Sequence, residues 1–373
     1  MTAGRRTRIF IVDDSVVMRS LLRSVVCAEP GLEVAGTAAD GKSALSAIET
    51  LHPDLVLMDV EMPVMDGLLT LRSLRALGHK MPVIMCSSLT QRGAKVTIEA
   101  LACGASDYVA KPAGQSGREA ATRALSRELI PRILALASHS QPVFPGIPRI
   151  PVMAPMAPLP GVQTISSSPQ VLAIGVSTGG PAALDLLLPA LPADFPLPVL
   201  IVQHMPELFT RLFAERLNGR CALQVREAVE GDPVRAGSIF IARGDWHMEV
   251  LSAACSGSPA TLRLSQGPQE NHCRPSVDVL FRSVAAAYGA GALAVVLTGM
   301  GSDGMIGCRA IRDHGGSVLA QDEASSTVWG MPGAVANAGL AQKVLPLNAI
   351  APELLRLVRR TQAEARELRE AVV

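Results

Sequence analysis

Between residues 8 and 111, short apolar runs alternate with amphipathic stretches. RIFIVDD, LEVAGTA, PDLVLMDV, PVIMCSS and DYVAKP each read as a strand, because a near-continuous apolar run bounded by polar residues suits a strand buried on both faces. VVMRSLLRSVV, GKSALSAIETL, GLLTLRSLRAL and RGAKVTIEALA instead repeat apolar residues at helical spacing. Alternating strands and helices of this kind predict an α/β unit with a parallel sheet covered on both faces. A last helix over roughly 118–137 closes it.

From 138 to 169 proline recurs every few residues and the helical period vanishes, which predicts a proline-rich, semi-extended linker. The alternation then resumes with VLAIGVS, the helix PAALDLLLPAL with Pro181 in its first turn, PVLIVQHM and the helix ELFTRLFAERL. Short runs in the middle (LQVREAV, SIFIAR, HMEVL, TLRLS) predict an antiparallel or mixed section. LAVVLTGM at 293–300 is again a buried strand, followed by the helix DGMIGCRAIRDHG. The predicted division is a first domain over 1–130, the linker over 138–169, a second, mainly parallel α/β domain over 170–350 and a charged amphipathic helix over 351–373.

Composition narrows the function classes. At 373 residues the chain accommodates two or three domains with separate cores. It is 49% hydrophobic, yet it has no uncharged apolar run long enough to span a bilayer, so no membrane insertion is expected. MTAGRRTRIFIVDDS brings Asp13 and Asp14 too early, and shows no small-residue cleavage site, for a secretory signal. A net charge of +1 with scattered Lys and Arg, and 3% aromatics, argue against nucleic acid as a partner. Seven cysteines without a CxxC pair read as small buried hydrophobes of a reducing cytosol. Nothing predicts more than a cytoplasmic monomer.

Ligand chemistry in a parallel sheet collects outside the carboxyl ends of its strands. Asp13 and Asp14 end the first strand, Asp59 the third, Ser87 the fourth and Lys111 the fifth, so all five meet at one rim. Three carboxylates held together invite a hard divalent cation, and Mg²⁺ is the usual choice where phosphate is handled. Lys111 adds a charge for a phosphoryl oxygen and Ser87 a hydroxyl. Asp59 is the natural carboxylate nucleophile. This segment resembles a response-regulator receiver domain of the flavodoxin-like (βα)₅ type. The resemblance implies that Asp59 accepts a phosphoryl group from a histidine kinase, that Asp13 and Asp14 help hold Mg²⁺, and that Ser87 and Tyr108 reorient as switch residues.

In the second domain GVSTGGP places Ser177 at a strand end, before glycines that permit a tight turn and ahead of a helix N-terminus. Such a turn exposes a hydroxyl and aims backbone N–H groups at a developing oxyanion. His204 closes the next strand and Asp303 follows LAVVLTGM. Each has a plainer reading: GVSTGGP as a phosphate loop, His204 as a structural histidine, Asp303 as a helix cap. The order Ser…His…Asp and the absence of GxSxG do not fit the α/β-hydrolases. His247, His272 and Cys273 show no compact metal-ligand spacing, so structural or substrate-groove roles are expected and no cofactor is expected in this domain. Arg274 either contacts substrate or braces the fold.

GVSTGGP, VQHMP, ARGDWHMEV, NHCRPSVDVLF and LTGMGSDG together resemble the catalytic domain of the CheB family of chemotaxis receptor methylesterases. The resemblance implies Ser177 as nucleophile, His204 as base and then acid, Asp303 as the group orienting the imidazole, and amides near Thr178 and Met300 as oxyanion donors. It implies glutamate γ-methyl esters of methyl-accepting chemotaxis receptors as substrate, with γ-amides as a second class, and a receiver that covers the catalytic face until phosphorylated. The competing outputs are a DNA-binding domain, disfavoured by the absence of a basic helix-turn-helix pattern, and a catalytically silent receptor adaptor.

Overall fold

The computed structural model describes residues 5–88, 90–112, 117–140, 169–253, 255 and 258–370. Most of the expected 138–169 linker lies outside the described residues.

The first half alternates β1 (Thr7–Val12), α1 (Val16–Ala28), β2 (Leu32–Ala38), α2 (Gly41–Leu51), β3 (Leu55–Asp59), α3 (Gly67–Ala76), β4 (Val83–Ser87), α4 (Gln91–Ala102), β5 (Asp107–Ala110) and α5 (Arg118–Ser140). Its strands pair in parallel in the order β2-β1-β3-β4-β5. All of β3 and β4 is buried, as apolar runs facing helices on two sides require. Ser15, Asp40, Asp66 and Thr90 start α1 to α4, each side chain accepting the third amide N–H beyond it. The central position of β3 puts its last residue, Asp59, in the middle of the rim.

The second half contains β6 (Val171–Val176), α6 (Gly180–Leu187), β7 (Val199–Gln203), α7 (Glu207–Asn218), β8 (Gln224–Glu227), β9 (Ser238–Ile241), β10 (His247–Leu251), β11 (Thr261–Ser265), α8 (Val277–Tyr288), β12 (Ala292–Val296), α9 (Met305–Asp313), β13 (Ser317–Gln321), α10 (Met331–Asn337), β14 (Lys343–Leu345) and α11 (Leu347–Glu370). Seven strands form one parallel sheet in the order β14-β13-β12-β6-β7-β9-β8. The strand order reverses at β6, so a crevice opens beyond the ends of β6, β7 and β12. Ser177, His204 and Thr298 follow those three strands. The middle section is mixed: β8 and β9 join the sheet in parallel, and only β10 and β11 form an antiparallel ribbon. The expected C-terminal helix begins at Leu347, and it docks rather than projects, burying Ile350, Leu354 and Leu357.

The halves share buried side chains. One apolar cluster runs from Ile98, Leu101 and Tyr108 into Leu184, Phe209 and Phe213, with α4 packed on α6 and α7. A second joins Leu125, Leu129 and Ile133 of α5 to Val328, and Met300 packs against it. Among the described residues, no helix is long and apolar enough to cross a membrane.

Candidate active site

At the first rim Lys111 Nζ lies 2.8 Å from Asp13 Oδ2 and 2.7 Å from Asp59 Oδ1. Asp13 and Asp59 are buried whereas Asp14 is exposed, and one oxygen from each falls within 4.8 Å of the others. Oxygen donors of this charge and spacing, open to solvent on the Asp14 side, fit Mg²⁺. Burial pushes the Asp59 carboxyl up to about 6, although Lys111 pulls the other way. Burial opposes the Lys111 charge, but hydrogen bonds to Asp13 and Asp59 outweigh it and raise its pKa. Ser87 is fully buried and its hydroxyl donates to Ser88 O at 3.1 Å, so its hydrogen is committed away from the acids. Tyr108 is turned inward, its ring stacked on Phe209 with centroids 4.6 Å apart.

In the second half β6 delivers Ser177 into a loop whose backbone is heavily bonded. Ser177 N donates to Thr298 O at 3.0 Å, and Ser177 O accepts from Gly180 N and the Gln203 side chain. Thr298 Oγ1 donates to Thr178 O at 2.9 Å and accepts from Val328 N. The amides of Thr178 and Met300 make no hydrogen bond among the described residues, so both remain available. Gly179 turns with φ +77°, and a Cβ at Gly299 would approach Ser177 Cβ to 2.9 Å. Only glycine lets the two loops come this close.

His204 Nε2 lies 2.8 Å from Asp303 Oδ2. Asp303 is buried and accepts five further bonds: Asn271 Nδ2, Ser276 Oγ, Asp278 N and Gly304 N on Oδ1, and Val277 N on Oδ2. Burial works against its ionisation, but His204 and the amides of Val277 and Asp278 hold the carboxyl down to about 2. A carboxylate without a proton forces N–H onto His204 Nε2, leaving Nδ1 as the nitrogen that gains or loses a proton. Nδ1 faces Cys273 Sγ at 3.6 Å. In the familiar triad the carboxylate takes Nδ1; here Asp303 takes Nε2 instead. Burial lowers the basicity of His204, yet the bonds to Asp303 and Cys273 outweigh it and raise its pKa to about 9. No hydrogen bond joins Ser177 Oγ to His204 among the described residues.

Asp303 owes its position to two helices that cap each other. Ser276 begins α8 without a side-chain cap of its own, and Asp303 supplies one by accepting from Val277 N and Asp278 N. In return Asp278, in the first turn of α8, accepts from Gly307 N of α9 at 2.6 Å. Burial pushes the Asp278 carboxyl above its usual range. Asp303 thus caps α8 and not α9, the helix it precedes, whose N-cap Gly304 has no side-chain cap bond, and the positive end of α8 favours its charge.

Ser177 and His204 line one cavity of about 10 Å³ with Leu101, Asp107, Tyr108 and Arg132 of the first half. Asp107 Oδ2 accepts from Thr178 Oγ1 at 2.7 Å and lies 3.3 Å from Arg132 Nε. The space holds about one water, not an ester side chain.

The other polar candidates separate. His247 Nε2 bonds Pro268 O and its Nδ1 accepts from Ser276 N, a structural histidine satisfied at both nitrogens. Arg274 is neutralised by Asp245 and bonds the carbonyls of Gln266 and Gly267, so it braces the loop. His272 is exposed. Cys273, which linear spacing had not tied to any ligand set, joins His204 and Asp303 in one group of donor atoms. Both Asp303 oxygens are already filled, which leaves only a two-residue clamp. Asn271, Ser276, Asp278 and Thr298 escaped the sequence reading of the site, although NHCRPSVD and TGMGSDG contain them.

Residues 172–354 match the CheB methylesterase family and residues 9–122 the response regulator receiver domain. A protein-glutamate methylesterase/protein-glutamine glutaminase from Nocardioides sp. is 50% identical over 359 residues, covering 95% of this chain and 96% of its own. One of the same description from Trichodesmium erythraeum is 46% identical, covering 94% of this chain and 99% of its own. The crystal structure of the Thermotoga maritima CheB methylesterase catalytic domain is 40% identical, with a TM-score of 0.49 over 52% of this chain and 100% of that one.

Proposed function

The chain belongs to the CheB family of protein-glutamate methylesterases/protein-glutamine glutaminases with a receiver domain, and from that premise we propose that Ser177, His204 and Asp303 hydrolyse glutamate γ-methyl esters on the cytoplasmic helices of chemotaxis receptors. The observation that carries the assignment is the fully bonded Asp303 carboxylate against Nε2 of His204, a residue that lines one cavity with Ser177.

Ser177 Oγ attacks the ester carbonyl while His204 Nδ1 takes its proton, once that nitrogen has left Cys273. Asp303 stays ionised and supports the imidazolium. Thr178 N and Met300 N receive the oxyanion, each donor supplying ~3 kcal/mol. Collapse expels methanol with the proton from His204, and water repeats the sequence on the acyl-enzyme to regenerate Ser177 and a glutamate. A receptor glutamine takes the same route with ammonia as leaving group.

Control resides in the first half. Asp59 accepts a phosphoryl group from the chemotaxis histidine kinase. Mg²⁺ held by Asp13, Asp14 and Asp59 would offset the charge of the phosphoryl oxygens. Lys111 and Ser87 hold a phosphoryl oxygen each, which requires Ser87 to leave Ser88 O and Lys111 to release Asp59. Tyr108 then leaves the Phe209 face, and the cover over Ser177 loosens. This is a shift between closed and open populations rather than assembly of a new site.

Methanol release from methylated receptor membranes, with and without a small-molecule phosphodonor, tests the proposal. Wild type is expected to release methanol and Ser177→Ala none above background; equal release by the two overturns the assignment.

A further inference from the structure

We propose that Asn271 is a positioning residue for this hydrolase, its one side-chain amide shared between Asp303 and Asp278 so as to fix the carboxylate that holds His204. The inference rests on the triad reading above and extends it to a residue that touches neither substrate nor imidazole. Asn271 Nδ2 donates to Asp303 Oδ1 and to Asp278 Oδ2, each at 2.9 Å. Both partners are acceptors, so the amide must present its NH₂ there. The two carboxylates are 2% and 1% exposed and repel each other. An uncharged group with two hydrogens on one atom satisfies both; an aspartate would add a third negative charge.

The backbone explains why this residue is an asparagine. Asn271 and His272 take φ of +51° and +61°, in a turn closed by reciprocal Glu270–Cys273 backbone bonds. Left-handed backbone costs most side chains ~1–2 kcal/mol, and asparagine tolerates it best after glycine. The same turn serves both imidazole nitrogens: Asn271 acts on Nε2 through Asp303, and Cys273 meets Nδ1. Asn271 itself is mainly exposed, with only its amide turned inward, so its replacement opens no void in the core. Arg282, the cation of α8, makes its hydrogen bonds to Glu270.

The test uses the full chain as Asn271→Gly, which removes the amide and accepts the left-handed backbone, and Asn271→Asp, which keeps the shape. Three readouts are taken: kcat and KM for methanol release in the presence of phosphodonor, the His204 ionisation in the pH profile of kcat, and the low-field NMR signal of the His204 Nε2 proton. Loss of a donor makes the Asp303 carboxylate more basic and favours imidazolium. Asn271→Gly is expected to lower kcat roughly tenfold or more with KM little changed, to move the His204 ionisation upward, and to broaden the low-field signal; Asn271→Asp should move the ionisation further. A fall in kcat with the ionisation and the proton signal unmoved assigns Asn271 a merely structural role and overturns the proposal, as does an unchanged kcat. If wild type releases no methanol, the triad reading fails instead, and the NMR signal still decides whether Asn271 governs the Asp303–His204 bond.

Discussion

Thr178 Oγ1 donates a 2.7 Å hydrogen bond to Asp107 Oδ2, tying the residue after Ser177 to the residue before Tyr108. Both are buried, and Tyr108 stacks on Phe209 beside them. The candidate nucleophile and the candidate switch are therefore one residue removed from a direct bond.

Removing that bond should open the closed state. A hydrogen bond to a charged group contributes about 1.5–3 kcal/mol, a roughly ten- to hundredfold shift in the closed–open equilibrium. Asp107→Ala is expected to raise methanol release by the unphosphorylated chain by about tenfold or more, and Phe209→Ala by less, in line with the ~0.5–1.5 kcal/mol of an aromatic pair. Initial rates without phosphodonor check this; rates equal to wild type would count against the bond as a latch.

Cys273→Ala should make His204 a better base near neutrality. The contact with Cys273 is one of the influences raising the His204 pKa to about 9, so its loss moves the ionisation toward the ordinary value of 6.5. The pH–rate profile of the variant is expected to reach its plateau at lower pH. An unshifted profile refutes the influence of the thiol.

Asp59→Asn should abolish stimulation by phosphodonor and also stabilise the metal-free protein, with a definite pH dependence. The folded pKa of Asp59 is raised from 3.8 to about 6, so the folded state prefers the protonated form, and that stabilisation is present below about pH 4 and lost as pH rises through 6. The neutral asparagine escapes the loss. Urea denaturation is expected to favour the variant by up to ~3 kcal/mol at pH 7.5 and by little at pH 4.

The Asp303–His204 pair predicts the opposite limb. With Asp303 held at about 2 and His204 at about 9, the interaction is present between roughly pH 4 and 6.5. It is lost as pH falls through 2 or rises through 9. Both shifts report one bond and are counted once, at ~2 kcal/mol. Wild type should lose stability between pH 6.5 and 9.5 where Asp303→Asn does not, as measured by denaturant unfolding at the two pH values.

Apolar runs made the strands legible, and a strand's end is where a parallel sheet exposes its chemistry, so Asp59, Lys111, Ser177 and His204 could be placed from sequence. Cys273 could not, because a tight left-handed turn, not a repeating spacing, folds it onto His204. Asp278 was hidden likewise: its partner Gly307 lies in the first turn of another helix, and periodicity reports faces, not which helix ends meet. Asp107 is the extreme case. Its role depends on how the two halves dock, and an aspartate that starts a strand looks the same whether it faces water or Thr178. The parallel pairing of β8 and β9 was equally invisible, since short alternating runs suit either direction.

A cover that leaves about 10 Å³ beside Ser177 cannot close over a bound substrate; it occupies the surface the substrate needs. Under the gating proposed above, the receiver would behave as a tethered competitor, its effective concentration set by its tether. Repression of that kind raises KM and spares kcat, and it yields to mass action. Receptor density would thus act as an input alongside the phosphoryl group, with crowded arrays drawing the enzyme open at phosphorylation levels that leave sparse ones untouched.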